Sequence, residues 1–204
     1  MINLYSGTPG SGKSLHMARD IRERLAWKNS VTIGNFYVNV KSVKKCRGTY
    51  LYVQNHRLTP RRLISFSRRL SRHLGRRLKE GEILVFIDEA QLLFNSREYQ
   101  SPNRKEWLSF FTQHRHFGFD IIMVAQFDRM LDRQVRSLFE YEYVHRKISN
   151  AGVIGAVLGF LFGGNLFIYI RRWYPIKEKV GSEFFLGNKK LYEIYDSYNS
   201  FEGF

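Results

Sequence analysis

Ile2-Asn3-Leu4-Tyr5-Ser6 runs directly into Gly7-Thr8-Pro9-Gly10-Ser11-Gly12-Lys13-Ser14, an apolar strand followed by G-x-x-x-x-G-K-S. The glycines let successive backbone N–H groups converge on a phosphate without side-chain collision. Lys13 then reaches the β/γ oxygens, and the Ser14 hydroxyl ligates Mg²⁺. From Leu15 to Trp27 the pattern is helical, with Met17, Ala18, Ile21 and Leu25 on one face, and its N-terminus points at the anion. Gly7, Thr8, Pro9, Gly10, Ser11, Gly12, Lys13, Ser14 and Leu15 are therefore the expected ATP-binding set.

The next informative stretch is Ile83-Leu84-Val85-Phe86-Ile87, wholly apolar and ending in Asp88-Glu89. A continuous apolar strand is what a parallel sheet covered on both faces requires. Carboxylates at its C-terminal end stand where an open α/β sheet places its ligands. The expectation is that Asp88 holds Mg²⁺ with Ser14, and that Glu89 activates the attacking water. Asp88-Glu89 also fits a simple cap on a helix starting at Ala90. A second apolar run, Ile121 to Ala125, follows a predicted helix from Arg104 to Phe117 and ends in Gln126, whose amide suits a γ-phosphate sensor or a turn cap. Arg115 and Arg136 are candidates for the charge that stabilises a phosphoryl-transfer transition state, in competition with plain surface roles. An arginine supplied by a neighbouring subunit would imply a homo-oligomer.

The chain has 204 residues, 33 Lys+Arg against 18 Asp+Glu, and a net charge of +15. Its 44% hydrophobic and 16% aromatic content allows a sizeable core and excludes a disordered or low-complexity chain. The lone Cys46 excludes a disulfide framework and a Cys-rich zinc module, and suits a reducing compartment. The positive excess points to an anionic partner: nucleotide, nucleic acid or an acidic membrane face. The expected architecture is an α/β P-loop NTPase, a mostly parallel sheet covered by helices on both faces, with a C-terminal β-rich extension. One domain spans 1–204, as a nucleotide-binding core over 1–146 and an extension over 147–204.

These motifs, with Gln113 to Ile122, Ala125-Gln126, Asp132 to Arg136 and Lys189 to Asp196, resemble the zonula occludens toxin-like NTPase domain, the filamentous-phage gene I assembly protein family. The resemblance implies a P-loop ATPase that powers phage assembly and extrusion at the cytoplasmic face of the bacterial host inner membrane. Its partners would be phage coat protein or phage DNA, with no small-molecule acceptor. Members of that family continue into a transmembrane helix and an extracytoplasmic tail, so these residues read as a shortened chain or a short member. Two other readings stay open: a small-molecule kinase and a DNA-translocating or packaging ATPase.

Ala151 to Ile170 carries no charge for twenty residues, a transmembrane candidate by length. Gly163-Gly164-Asn165 splits it into a helix over Gly152–Phe162 and a strand from Leu166. The expectation is a buried or inter-subunit helix with a hairpin, ahead of membrane-surface contact and a true span. Arg57 to Lys79 holds nine basic residues and no acid, with Leu63, Phe66, Leu70, Leu74 and Leu78 at helical spacing after a Thr59-Pro60 start. Its outer face suits solvent, nucleic-acid phosphate or anionic lipid. The aromatics Tyr192, Tyr195, Tyr198, Phe201 and Phe204 are expected to pack onto the domain.

Overall fold

A computed structural model describes residues 1–27, 29–97 and 103–195, the side chain of Leu158 excepted. Tyr198, Phe201 and Phe204 lie outside the described residues. In chain order the elements are β1 (Ile2–Ser6), α1 (Lys13–Leu25), β2 (Val31–Gly34), β3 (Thr49–Tyr52), α2 (Pro60–Leu74), β4 (Ile83–Ile87) and α3 (Arg104–Gln113). They continue with β5 (Phe119–Ala125), α4 (Arg133–Arg136), β6 (Tyr141–Lys147), α5 (Gly152–Leu161), β7 (Leu166–Trp173), β8 (Glu178–Leu186) and α6 (Lys189–Ile194).

The strands form one sheet in the order β3-β2-β4-β5-β1-β6-β7-β8. From β3 to β6 every pairing is parallel, and β7 and β8 continue it antiparallel. The apolar runs alternate as a strand buried on both faces must. Ile83, Val85 and Ile87 point to one side with Ile121 and Met123, under Leu63 of α2 and Trp107, Phe110 and Phe111 of α3. Leu84, Phe86, Ile122 and Val124 point to the other side, under Met17, Ala18, Ile21 and Leu25 of α1 and Leu191 and Ile194 of α6. This two-sided cover matches the α/β expectation.

Three local expectations need correction. The basic helix stops at Leu74, because Gly75 takes a left-handed conformation (φ 65°) and ends it, so Leu78 packs from the following loop. The helix expected over Arg104–Phe117 tightens into a 3₁₀ turn from His114. After Asp88-Glu89 there is only a three-residue 3₁₀ turn, Ala90–Leu92, and the Glu89 side chain makes no cap bond to it.

The uncharged segment is split where expected, by Gly163 and Gly164 at positive φ. Phe167 and Tyr169 of β7 are buried, while Ile168 and Ile170 face the half-open side. However, α5 is not buried: Val153, Ile154 and Phe160 are 82, 78 and 86% exposed. Gly155 and Gly159 are its buried positions among the described side chains, and they pack against Ile148 and Ser149.

Candidate nucleotide site

Parallel strands deliver their C-terminal ends to a common rim, and the candidate residues collect there. Ser6 and Ala125 are register partners. Gly7 and Gln126 therefore leave the sheet side by side, and the Gly7 N–H donates to the Gln126 carbonyl at 3.1 Å. The loop closes on α1 through Gly12 at φ 96°, a left-handed conformation that a side chain would strain. A Cβ at Gly12 would also stand 2.7 Å from the Phe167 ring of β7, so the antiparallel extension backs the loop. The first turn of α1 has no acidic residue and no side-chain cap at Gly12, which leaves its N–H groups directed at the rim for an anion.

Lys13 Nζ donates to the carbonyls of Gly7 at 2.6 Å and Thr8 at 3.1 Å, so its ammonium lies over the loop. Burial lowers its pKa, opposed by the negative charges of Asp88 and Glu89, so both acids lie within electrostatic reach of it. Asp88 follows β4 with its own supports. Its N–H donates to Asn35 Oδ1 at 2.7 Å, and Asn35 Nδ2 donates to its carbonyl at 2.8 Å. Its carboxylate accepts from the Tyr195 hydroxyl at 2.6 Å and from the Glu89 N–H at 2.9 Å. Burial raises the pKa of this carboxyl, and the Tyr195 hydrogen bond works against that rise.

Glu89 has φ 47° and ψ 48°, a left-handed backbone that costs a non-glycine residue about 1–3 kcal/mol. Gln91 Nε2 donates to its carboxylate. Ser14 and Leu15 occupy the first turn of α1, and Leu15 is buried against the second core. Ser11 is buried inside the loop, its Oγ without a hydrogen-bond partner among the described residues. That orphan hydroxyl and the uncapped amides fit a polyanionic ligand. Among the described residues no cluster of three or more His, Cys, Asp or Glu could cage a metal. One hydroxyl and one carboxylate are what Mg²⁺ needs when phosphates and water complete its shell.

Arg115 is not brought to this site in its own chain. It precedes β5, at the opposite edge of the sheet, and pairs with Glu80 at 3.2 Å and Glu140 at 3.0 Å. The sequence match around it reflects a strand-leading turn, whose place in a parallel sheet is away from the phosphate loop. Arg136 ends α4 on the return path to β6, and among the described residues no contact joins it to the loop or to Asp88. Its Nε is buried without a hydrogen-bond partner among the described residues, and its charge acts on the Tyr174 hydroxyl.

Sequence reading missed a buried pair beneath the loop. His145 of β6 lies with Nδ1 3.1 Å from the Ser6 carbonyl, and its Nε2 is 2.8 Å from His16 Nδ1. With Nδ1–H donated to Ser6, Nε2 accepts from His16, so the His145 ring is neutral, and burial favours the neutral form of His16 as well. Burial depresses both, His145 to about 3. His16 is stacked between Tyr5 at 4.5 Å and Tyr169 at 4.3 Å. One strand-borne histidine thus ties the residue before the loop to the helix after it. Its only sequence signal is a histidine in the first turn of α1. Asn35 carried none.

Three comparisons bear on this arrangement. The family model Zonular occludens toxin (Zot) matches residues 1–160. The Gene 1 proteins of Enterobacteria phage I2-2 and Salmonella phage IKe are each 31% identical over 86 residues, 41% of this chain. The match spans 24%, about a quarter, of the length of those relatives. Among solved structures, the N-terminal domain of zonular occludens toxin from Neisseria meningitidis is similar at 20% identity and TM-score 0.60, over 96% of this chain and 98% of that one. The genome packaging NTPase B204 of Sulfolobus turreted icosahedral virus 2, in complex with ATP-gammaS, is similar at 17% identity and TM-score 0.52, over 90% and 95%. At these identities the structures share a fold, and with residues 1–160 under the family model, the chain belongs to the Zonular occludens toxin (Zot) family.

Proposed function

We propose that this chain is a Mg²⁺-dependent ATPase that powers filamentous phage assembly and extrusion at the cytoplasmic face of the host inner membrane. The observation that supports hydrolysis is that Asp88 and Glu89, at the end of β4, lie near enough for their charges to act on Lys13 of the phosphate loop. The phage setting is supported by the names of the two Gene 1 relatives. Lys13 exchanges the Gly7 and Thr8 carbonyls for phosphate oxygens, and the N-terminal amides of α1 complete the cradle. Ser14 and Asp88 would hold Mg²⁺, which when bound neutralises charge on the phosphates. Asn35 and Tyr195 keep Asp88 in place. Glu89 takes the proton of the attacking water, and Gln126 is linked to the loop through Gly7.

Glu89→Gln preserves shape and removes the base. ATP should still bind, while turnover falls by a factor of about 10²–10⁴. Turnover equal to the parent chain would move the base elsewhere. Phosphate release without any acceptor distinguishes this reading from a kinase. A packaging or translocating ATPase is the second reading, favoured by Arg57, Arg62, Arg68, Arg69 and Arg72 on and before α2. Among the described residues, none of these has an acidic partner within ion-pair distance. Stimulation of phosphate release by DNA would promote it.

A further inference from the structure

We propose that α5 is a lipid-inserting finger, which docks this chain on an anionic bilayer surface by entering one leaflet without crossing it. The helix is Gly-Val-Ile-Gly-Ala-Val-Leu-Gly-Phe-Leu, without a polar side chain. Its Val153, Ile154, Val157, Phe160 and Leu161 side chains are 56 to 86% exposed, and Phe162 just beyond it is 47% exposed. Among its described side chains, the buried positions are Gly155 and Gly159. A Cβ added to Gly155 would stand 2.3 Å from the Ile148 carbonyl, and one at Gly159 would stand 2.7 Å from Ser149 Cβ. Monomeric chains rarely leave such a contiguous apolar surface uncovered.

The charge around the root of the finger selects its occupant. Lys147 ends β6 with its Nζ 3.9 Å from where a Gly164 Cβ would be, beside the turn that closes the finger. The Gly187 N–H donates to the Asn165 carbonyl at 2.8 Å, which brings the start of α6, with Lys189 and Lys190, to the same root. No acidic residue occurs from Tyr143 to Lys177. Among the described residues, Arg146, Lys147, Lys189 and Lys190 have no ion-pair partner. A second copy of a chain with net charge +15 would bring like charges against this collar. A bilayer with anionic headgroups supplies apolar depth for the helix and negative charge for the lysines. Ten helical residues rise about 15 Å, half of a ~30 Å hydrocarbon core, so the finger fits one leaflet. No helix among the described residues is long and apolar enough to cross.

The proposal takes only its biological setting from the function proposed above, and it is tested by flotation of the 204-residue chain. Vesicles of phosphatidylcholine alone are compared with vesicles containing a quarter of phosphatidylglycerol. The chain should float with the anionic vesicles and at least about tenfold less with the neutral ones. Ile154→Ser with Phe160→Ser, two exposed positions, should weaken binding about a hundredfold or more, with thermal midpoint and ATP turnover unchanged. Equal flotation of variant and parent would overturn the proposal. So would binding abolished completely by 0.5 M NaCl, which marks a purely electrostatic attachment. A parent chain that ignores both vesicles and sediments as an oligomer broken by the variant would assign α5 to a second copy instead. Flotation without ATP hydrolysis would keep the finger and remove the proposed ATPase.

Discussion

The two edges of the parallel strands handle charge in opposite ways. At the N-terminal edge, cations and carboxylates neutralise each other: the Met1 amino group meets Asp120 and Glu80, and Arg115 bridges Glu80 and Glu140. Around the phosphate loop at the C-terminal edge they are kept apart, while just beyond it Lys177 pairs with Asp128 at 3.0 Å. Lys13 spends its hydrogens on carbonyls, Asp88 is held by a tyrosine and an asparagine, and no direct ion pair joins Lys13 to either acid among the described residues. A salt bridge that forms within the chain consumes the charge that a ligand would use. The comparison separates charges that hold the sheet from charges available to phosphate, and it does so without regard to which residue is an arginine.

Lys13→Ala attacks the ligand edge most directly. Loss of a charge aimed at the phosphates should weaken ATP binding about a hundredfold or more, measured by calorimetry on the purified chain. Normal affinity would mean that the loop does not bind nucleotide through this lysine. A smaller effect is expected from His145→Asn, read as stability against pH. His16 and His145 are neutral when folded and accept protons near pH 6.5 when unfolded, so the unfolded chain binds more protons below that pH. Stability from these rings is lost as pH falls from about 6.5 toward 3. Asp20, raised by burial to about 7, acts in the reverse sense, losing stability as pH rises from about 4 to 7. Removing His145 should flatten the acid limb by up to about 1.4 kcal/mol per pH unit, read from urea midpoints between pH 4 and 7. An unchanged slope would show that the buried pair does not control it. Arg115→Ala should do least. Its pairs are half exposed, so about 0.2–1 kcal/mol of stability is at stake, with turnover unaffected. A hundredfold loss of turnover at an unchanged thermal midpoint would instead make Arg115 part of a neighbouring subunit's site, and the division between the edges would fail.

Much of the ligand edge was legible because its signals are local. The phosphate loop needs consecutive residues, and the β4 run is apolar because both of its faces are covered. The supports were not legible, since they depend on contacts across large sequence separations. Asn35 reaches Asp88 across 53 residues, Tyr195 reaches it across 107, and His145 reaches His16 across 129. None sits in a pattern with a period. Strand β2 has only four residues, too short for alternation to show. Whether α5 is covered within its own chain was not legible for another reason. An uncharged, glycine-spaced helix has the same composition whether it meets protein or lipid, and only the finished packing shows that the described residues of its own chain leave it exposed. For Arg115 the motif was visible and its edge was not, because a residue's end of the sheet follows from strand direction.

Glu89 carries a consequence for how this chain can change over time. Its left-handed backbone is one that glycine adopts without strain, so mutation toward glycine releases local energy even though glycine itself costs some chain entropy. If the carboxylate is the base, the same replacement removes the chemistry. Residue 89 is then a position where drift toward a sturdier fold and retention of a motor pull against each other. A descendant relieved of the need to hydrolyse nucleotide would be expected to lose its acid there early, while the loop, the sheet and the outer finger remained as they are.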